Sequence, residues 1–154
     1  MSTAALAISQ VALTVHDLAA VRDYYERVVG LHRIASDGES AVLGVGSRPL
    51  IELRRDSAAR RSSPRDAGLF HTAFLLPSRG DLARWINFAG AQRIPVQGAS
   101  DHIVSEALYM ADPEGNGIEI YADRPESSWR WQNGEVAMAT DRLDFDNLMT
   151  EATG

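Results

Sequence analysis

Two stretches of the sequence each set one acid between aliphatic residues: Leu50-Ile51-Glu52-Leu53 and Gly117-Ile118-Glu119-Ile120. Strand neighbours point to opposite faces, so each Glu stands on the face that its flanking residues avoid. An amphipathic strand with its acid in water accounts for either one taken alone. Two further stretches carry a polar group at matching places, Gln10-Val11-Ala12-Leu13 and His71-Thr72-Ala73-Phe74. Each half of the chain therefore offers one amide or imidazole and one carboxylate, Gln10 with Glu52 and His71 with Glu119. The chain has no cysteine, so a metal here is held by His, carboxylate or amide oxygen, which narrows the candidates to borderline and hard divalent cations. Packed as a pseudo-two-fold pair, the halves would bring all four side chains to one concave site. For Glu52, a surface ion pair with the neighbouring arginines explains the residue equally well.

The elements that would position these groups occur twice. "ISQVALTV", residues 8–15, alternates as a strand does. Asp17 is a plausible N-cap for the helix "LAAVRDYYERVVG", whose Leu18, Val21, Tyr25, Val28 and Val29 recur at helical spacing until Gly30 closes it. "LHRIAS" and "SAVLGVG" flank the hairpin signal "DGE", and "RPLIELRRD" is a further strand. The breaker-rich segment 57–68 is a linker, and Arg54, Arg55, Arg60, Arg61 and Arg65 are expected on solvated surface. The order then restarts. "LFHTAFLLP" is a strand, "SRGDLARWINFAGAQ" a helix capped by Ser78 or Asp81, and "IPVQGASDH" an extended run; "EALYMADPEGN" gives a strand and turn, and "GIEIYADRP" the last strand. A strand-helix-strand-strand-strand order appearing twice is an internal repeat. The expected organisation is a first module over 1–56, the linker, a second module over 69–124, and a tail over 125–154 in which "DFDNLMTEA" forms a short amphipathic helix.

With 154 residues and 45% of them hydrophobic, the chain has one domain's length and enough apolar material for a real core. A net charge of −6 argues against nucleic acid, which needs a basic face. The opening "MSTAALAISQVAL" lacks the basic start and long apolar core of a secretory leader, and no apolar run is long enough to span a bilayer. The expectation is a cytoplasmic protein with a small-molecule substrate.

The second half resembles the vicinal oxygen chelate superfamily of glyoxalases, bleomycin-resistance proteins and dioxygenases. It is most similar to extradiol dioxygenases of the catechol 2,3-dioxygenase type, whose signature reads here as His102, Leu108-Tyr109, Asp112-Pro113, Gly115 and Glu119. Ser100 stands at the signature's opening position, where Gly, Asn, Thr, Ile or Val is usual. The resemblance implies an α+β fold of two βαβββ modules, packed as a pseudo-two-fold pair into a cup-shaped mixed sheet around one divalent metal. It implies Glu119 and His71 as metal ligands, with His102 and Tyr109 as hydrogen-bonding and proton-transfer groups at a ferrous centre that cleaves a catechol-like ring. Gln10 stands where that type has its first ligand, a His. The set Gln10, Glu52, His71 and Glu119 also resembles that of glyoxalase I, which implies zinc, nickel or manganese and proton transfer in a lyase. The basic residues by which glyoxalase I grips glutathione have no counterpart at Thr14 and Ala67. The tail resembles the segment leading out of the first half of two-domain catechol dioxygenases, a half that commonly has lost its metal, so a ligand-binding member without catalysis is the third alternative.

Among the other residues, His16 is expected at the surface or in a helix cap, and His32 at the C-terminus of the first helix. Tyr24, Tyr25, Trp85 and Phe88 have helical spacings that suit a core. Trp129 and Trp131 lie in the polar tail and, with the short helix, are expected to plug the cup or to bury against a second subunit of a homodimer.

Overall fold

The computed structural model describes residues 8–63 and 65–153. The first seven residues, on which much of the leader reading rests, lie outside them. The chain divides into two compact units, residues 1–68 with 112–115 and residues 69–111 with 116–154. Among the described residues no helix is long and apolar enough to cross a membrane.

In the first unit β1 (Val11–Val15) leads into α1 (Leu18–Tyr24), which continues as a π-helical turn through Val29. Asp17 caps α1, its Oδ1 accepting from the Ala20 amide at 3.0 Å, and Gly30 ends the turn in the left-handed region at φ +86°. Strands β2 (His32–Ser36), β3 (Ser40–Val45) and β4 (Arg48–Arg55) follow. The sheet runs β1-β4-β3-β2, with β1 parallel to β4 and the other pairs antiparallel. Val15, Val21, Tyr25, Leu43, Ile51 and Leu53 form its buried core.

The second unit repeats this plan with β5 (Thr72–Leu75), α2 (Arg79–Ala91), β6 (Gly98–Asp101), β7 (Ser105–Ala111) and β8 (Gly117–Asp123), ordered β5-β8-β7-β6. Ser78 is the N-cap of α2, accepting from the Asp81 amide at 3.1 Å. Ile118, Ile120 and Ala122 alternate with Glu119 and Tyr121, and Leu82 and Ala83 of α2 are buried with them in this unit's core. The tail forms a hairpin of β9 (Trp131–Gln132) and β10 (Glu135–Val136) and the helix α3 (Phe145–Met149). The expected α+β architecture of two βαβββ modules is present, each with a four-stranded mixed sheet.

Several expectations differ from the structure. The run "IPVQGASDH" pairs only over Gly98–Asp101, because Pro95 offers no backbone donor. Phe88 is 38% exposed, since Leu82, Ala83 and Ala89 define the buried face of α2 and Phe88 falls off it. His32 leaves the helix end for β2, where its Nε2 meets the Gly46 carbonyl at 2.7 Å. The apolar face of α3 is used within its own unit: Leu148 is fully buried and the helix packs on α2. Trp129 is half-buried, its indole N–H donating to the Arg124 carbonyl at 3.0 Å, while Trp131 is exposed.

Candidate metal and proton-transfer site

The two donor pairs arise from one piece of sheet geometry used twice. In the first unit Ala12 lies directly opposite Glu52, and in the second Ala73 lies directly opposite Glu119. Gln10 and His71 precede those alanines by two residues, on the same strand face and diagonal to the acid. An alanine opposite each carboxylate leaves the diagonal open. Gln10 Nε2 comes within 3.4 Å of Glu52 Oε2, and His71 Nε2 within 2.8 Å of Glu119 Oε2.

The pairs differ in what surrounds them. Arg54, two residues along β4 and on the same face, donates Nε to Glu52 Oε1 at 2.8 Å and Nη2 to Oε2 at 2.9 Å. These bonds, and then the cation's charge, hold the Glu52 carboxyl below the usual carboxylate range. In this structure Glu52 is ion-paired with Arg54, with Gln10 beside it. Glu119 has no guanidinium on it among these bonds. It faces Tyr109 across β7 and β8, and the Tyr109 hydroxyl donates to Glu119 Oε1 at 3.1 Å. The residue opposite Glu52 on β3 is Val42, so the first unit has no counterpart of Tyr109.

From Tyr109 the chain of polar contacts continues to His102, whose Nε2 lies 2.6 Å from the hydroxyl oxygen. The other ring nitrogen, Nδ1, meets the Ala139 carbonyl in the tail at 2.7 Å. A carbonyl only accepts, so Nδ1 carries a hydrogen and Nε2 is the nitrogen that faces the Tyr109 hydroxyl, whose single hydrogen serves either Glu119 Oε1 or Nε2. Burial, and then the charge and hydrogen bond of Glu119, push the Tyr109 hydroxyl up to about 12, which keeps it a phenol at neutral pH. The second unit thus brings together His71, Glu119, Tyr109 and His102.

The residue types fit a divalent metal ion. The imidazole and carboxylate that approach each other at 2.8 Å are half-buried, with side-chain exposures of 27% and 12%, and present borderline and hard donor atoms to one point. Each unit supplies a pair of donors, and among the described residues no group of three or more His, Asp or Glu side chains is close enough to hold an ion.

Two groupings were not singled out in the sequence. Glu106 is fully buried on the core face of β7 and is held by Arg79, through Nη2 at 3.0 Å, and by Arg124, through Nη2 at 2.9 Å. Its signal was available: in "SEALYM" Glu106 alternates in phase with the apolar Leu108 and Met110 rather than against them. Glu114, in the turn that joins the first unit, accepts from the His16 amide at 2.8 Å and the Asp17 amide at 2.7 Å, and meets His16 Nδ1 at 3.0 Å. His16 therefore closes a local latch and does not cap α1, a role that Asp17 fills.

The chain is 38% identical over 143 residues to a catechol-2,3-dioxygenase of Bacillus subtilis (strain 168), covering 91% of this chain and 50% of that protein. It is 26% identical over 138 residues to biphenyl-2,3-diol 1,2-dioxygenase 2 of Rhodococcus globerulus, covering 86% of this chain and 72% of that one. The chain thus spans about half the length of the B. subtilis protein. Among solved structures, a lactoylglutathione lyase from Agrobacterium tumefaciens shares the fold with a TM-score of 0.62 at 24% identity, over 79% of this chain and 96% of that one. Residues 7–120 match the Glyoxalase/Bleomycin resistance protein/Dioxygenase superfamily, and the chain belongs to that family.

Proposed function

We propose that the chain carries an extradiol-type ring-cleavage site for a catechol-like small aromatic, with ferrous iron as its metal. The observation that carries this reading is the polar chain His71–Glu119–Tyr109–His102 on one unit. In this reading His71 and Glu119 would hold the ion. When bound, ferrous iron supplies the Lewis acidity and one-electron chemistry that dioxygen requires. Tyr109, kept as a phenol, donates a hydrogen bond to developing negative charge on the substrate oxygens. His102 Nε2 takes or returns the proton that moves through the Tyr109 hydroxyl.

A second reading is a glyoxalase-like lyase with zinc, nickel or manganese. The matching pairs Gln10–Glu52 and His71–Glu119 favour it, and the Arg54 fork on Glu52 weighs against it. A homodimer, for which Trp131 is exposed, belongs to the same proposal and is tested by mass in light scattering.

The test is oxygen uptake by protein loaded anaerobically with ferrous iron and given substituted catechols, with ring-fission absorbance followed in parallel. Uptake with a yellow product is the expected result. No uptake with iron bound would overturn the reading; turnover of a hemithioacetal with zinc or nickel would then establish the lyase, and its absence a binding protein.

A further inference from the structure

His102 is carried by a turn in an unfavourable backbone conformation. Ile103, the next residue, has φ +72°, a region that β-branched side chains avoid because of their bulk at Cβ. Such a conformation persists only where neighbouring bonds over-determine it. Here the His102 amide closes the turn on the Ser105 carbonyl at 2.9 Å, and Arg124 braces it from the side. Its guanidinium grips Asp101 with both nitrogens, Nη1 to Oδ1 and Nη2 to Oδ2, each at 2.7 Å, and Nη1 also donates to the Ile103 carbonyl at 3.0 Å. Asp101 in turn accepts from the Ile103 amide at 2.8 Å, and the Arg124 amide donates to the Val104 carbonyl at 2.7 Å. Asp101 also exchanges two backbone hydrogen bonds with Asp141, both at 2.9 Å, which hold the tail segment whose Ala139 carbonyl accepts from His102 Nδ1.

We propose that Arg124 is a positioning residue: by clamping Asp101 and the strained Ile103, it fixes His102 in the Nδ1–H form with Nε2 aimed at the Tyr109 hydroxyl. The inference rests on the proposed role of His102 and Tyr109 in proton transfer. Lysine cannot replace the arginine, because the planar fork is what spans both Asp101 oxygens and the Ile103 carbonyl. Glycine at 103 adopts positive φ without strain, so it removes the need for the clamp.

The experiment observes the His102 ring nitrogens by NMR in metal-free, nitrogen-15-labelled protein, alongside kinetics of the iron-loaded enzyme. In the wild type a single Nδ1–H tautomer with a slowly exchanging proton is expected. Arg124→Lys is expected to give mixed tautomers and to lower kcat at least about tenfold with KM little changed. Adding Ile103→Gly to Arg124→Lys is expected to restore both the single tautomer and most of kcat, a rescue that a general loss of stability would not show. Asp101→Asn leaves Arg124 on the buried Glu106 and gives the same reading should Arg124→Lys fail to fold. A single unchanged tautomer in the Arg124 and Asp101 variants, or no rescue by glycine, would overturn the proposal. Loss and rescue of the tautomer in a protein that cleaves no catechol would uphold the positioning role and remove the ring-cleavage reading.

Discussion

Tyr109 and Glu119 stand directly opposite each other on β7 and β8, joined by a hydroxyl-to-carboxylate hydrogen bond of 3.1 Å. The register makes one residue both a neighbour of the proposed metal ligand and the link to His102. Tyr109→Phe keeps the ring and removes the link. Iron content is expected to stay at the wild-type level while turnover falls about a hundredfold, the lower end for loss of a proton-transfer group. In the metal-free protein, tyrosinate absorbance should show one group titrating near 12 that the variant lacks.

His71→Ala and Glu119→Ala should each abolish most bound iron, measured by elemental analysis after anaerobic loading and desalting. Glu52→Gln separates the two enzymatic readings, since its oxygens already face Arg54. Iron content and ring cleavage within about twofold of wild type are expected for that variant, a difference of less than about 0.5 kcal/mol.

Gly117 begins β8 where β5 passes close by. A methyl group there would lie 2.3 Å from the Phe70 carbonyl oxygen and 3.0 Å from His71 Cβ, so Gly117→Ala must move the strand that carries His71. A loss of about 1–3 kcal/mol in chemical denaturation is expected, together with weaker iron binding. Gly90→Ala is the contrasting case. Nothing lies within 4 Å of its added methyl, and a stabilisation of about 0.5–1 kcal/mol is expected in the helix.

Buried Glu106 depends on Arg79 and Arg124, whose side chains retain 22% and 25% exposure against 1% for the acid. Arg79→Met leaves a buried carboxylate with one cation and is expected to cost about 3 kcal/mol. The double variant Arg79→Met with Glu106→Met removes the stranded charge and should recover most of that loss, as read from urea midpoints.

His16 places both ring nitrogens against acceptors, Glu114 Oε2 at 3.0 Å and the Ala59 carbonyl at 2.8 Å. The Glu114 bond first, then the Ala59 bond, raise the His16 pKa above 6.5, with Arg61 acting the other way. Burial pushes the Glu114 carboxyl up, but the Asp17 and His16 amides and the His16 ring outweigh it and hold the carboxyl below 4.5. The imidazolium contribution is whole below 6.5 and is lost as pH rises through the higher folded value, and the carboxylate contribution is whole above 4.5 and is lost as pH falls through the lower one. The latch should therefore stabilise most between those values. His16→Gln is expected to flatten the alkaline side of that profile, and an NMR titration of His16 with a midpoint at or below 6.5 would contradict the assignment.

The sequence by itself determined the repeated order of strands and helices, because period-two alternation, the caps at Asp17 and Ser78 and the closing Gly30 are local signals. It also determined the four polar interruptions Gln10, Glu52, His71 and Glu119, which a repeat exposes when the halves are laid on each other. Register was decided only in the tertiary structure. The opposition of Ala12 to Glu52 and of Ala73 to Glu119 depends on strands far apart in the chain, whereas Arg54, the partner of Glu52, is two residues away on the same strand and was a local signal. The Arg124 grip on Asp101 and Ile103, the Ala139 carbonyl on His102, and the choice of Arg79 and Arg124 as the partners of Glu106 are likewise contacts between distant segments. No local pattern carries them, because a charge in a strand reads the same from the sequence whether its partner is water or a guanidinium folded over it.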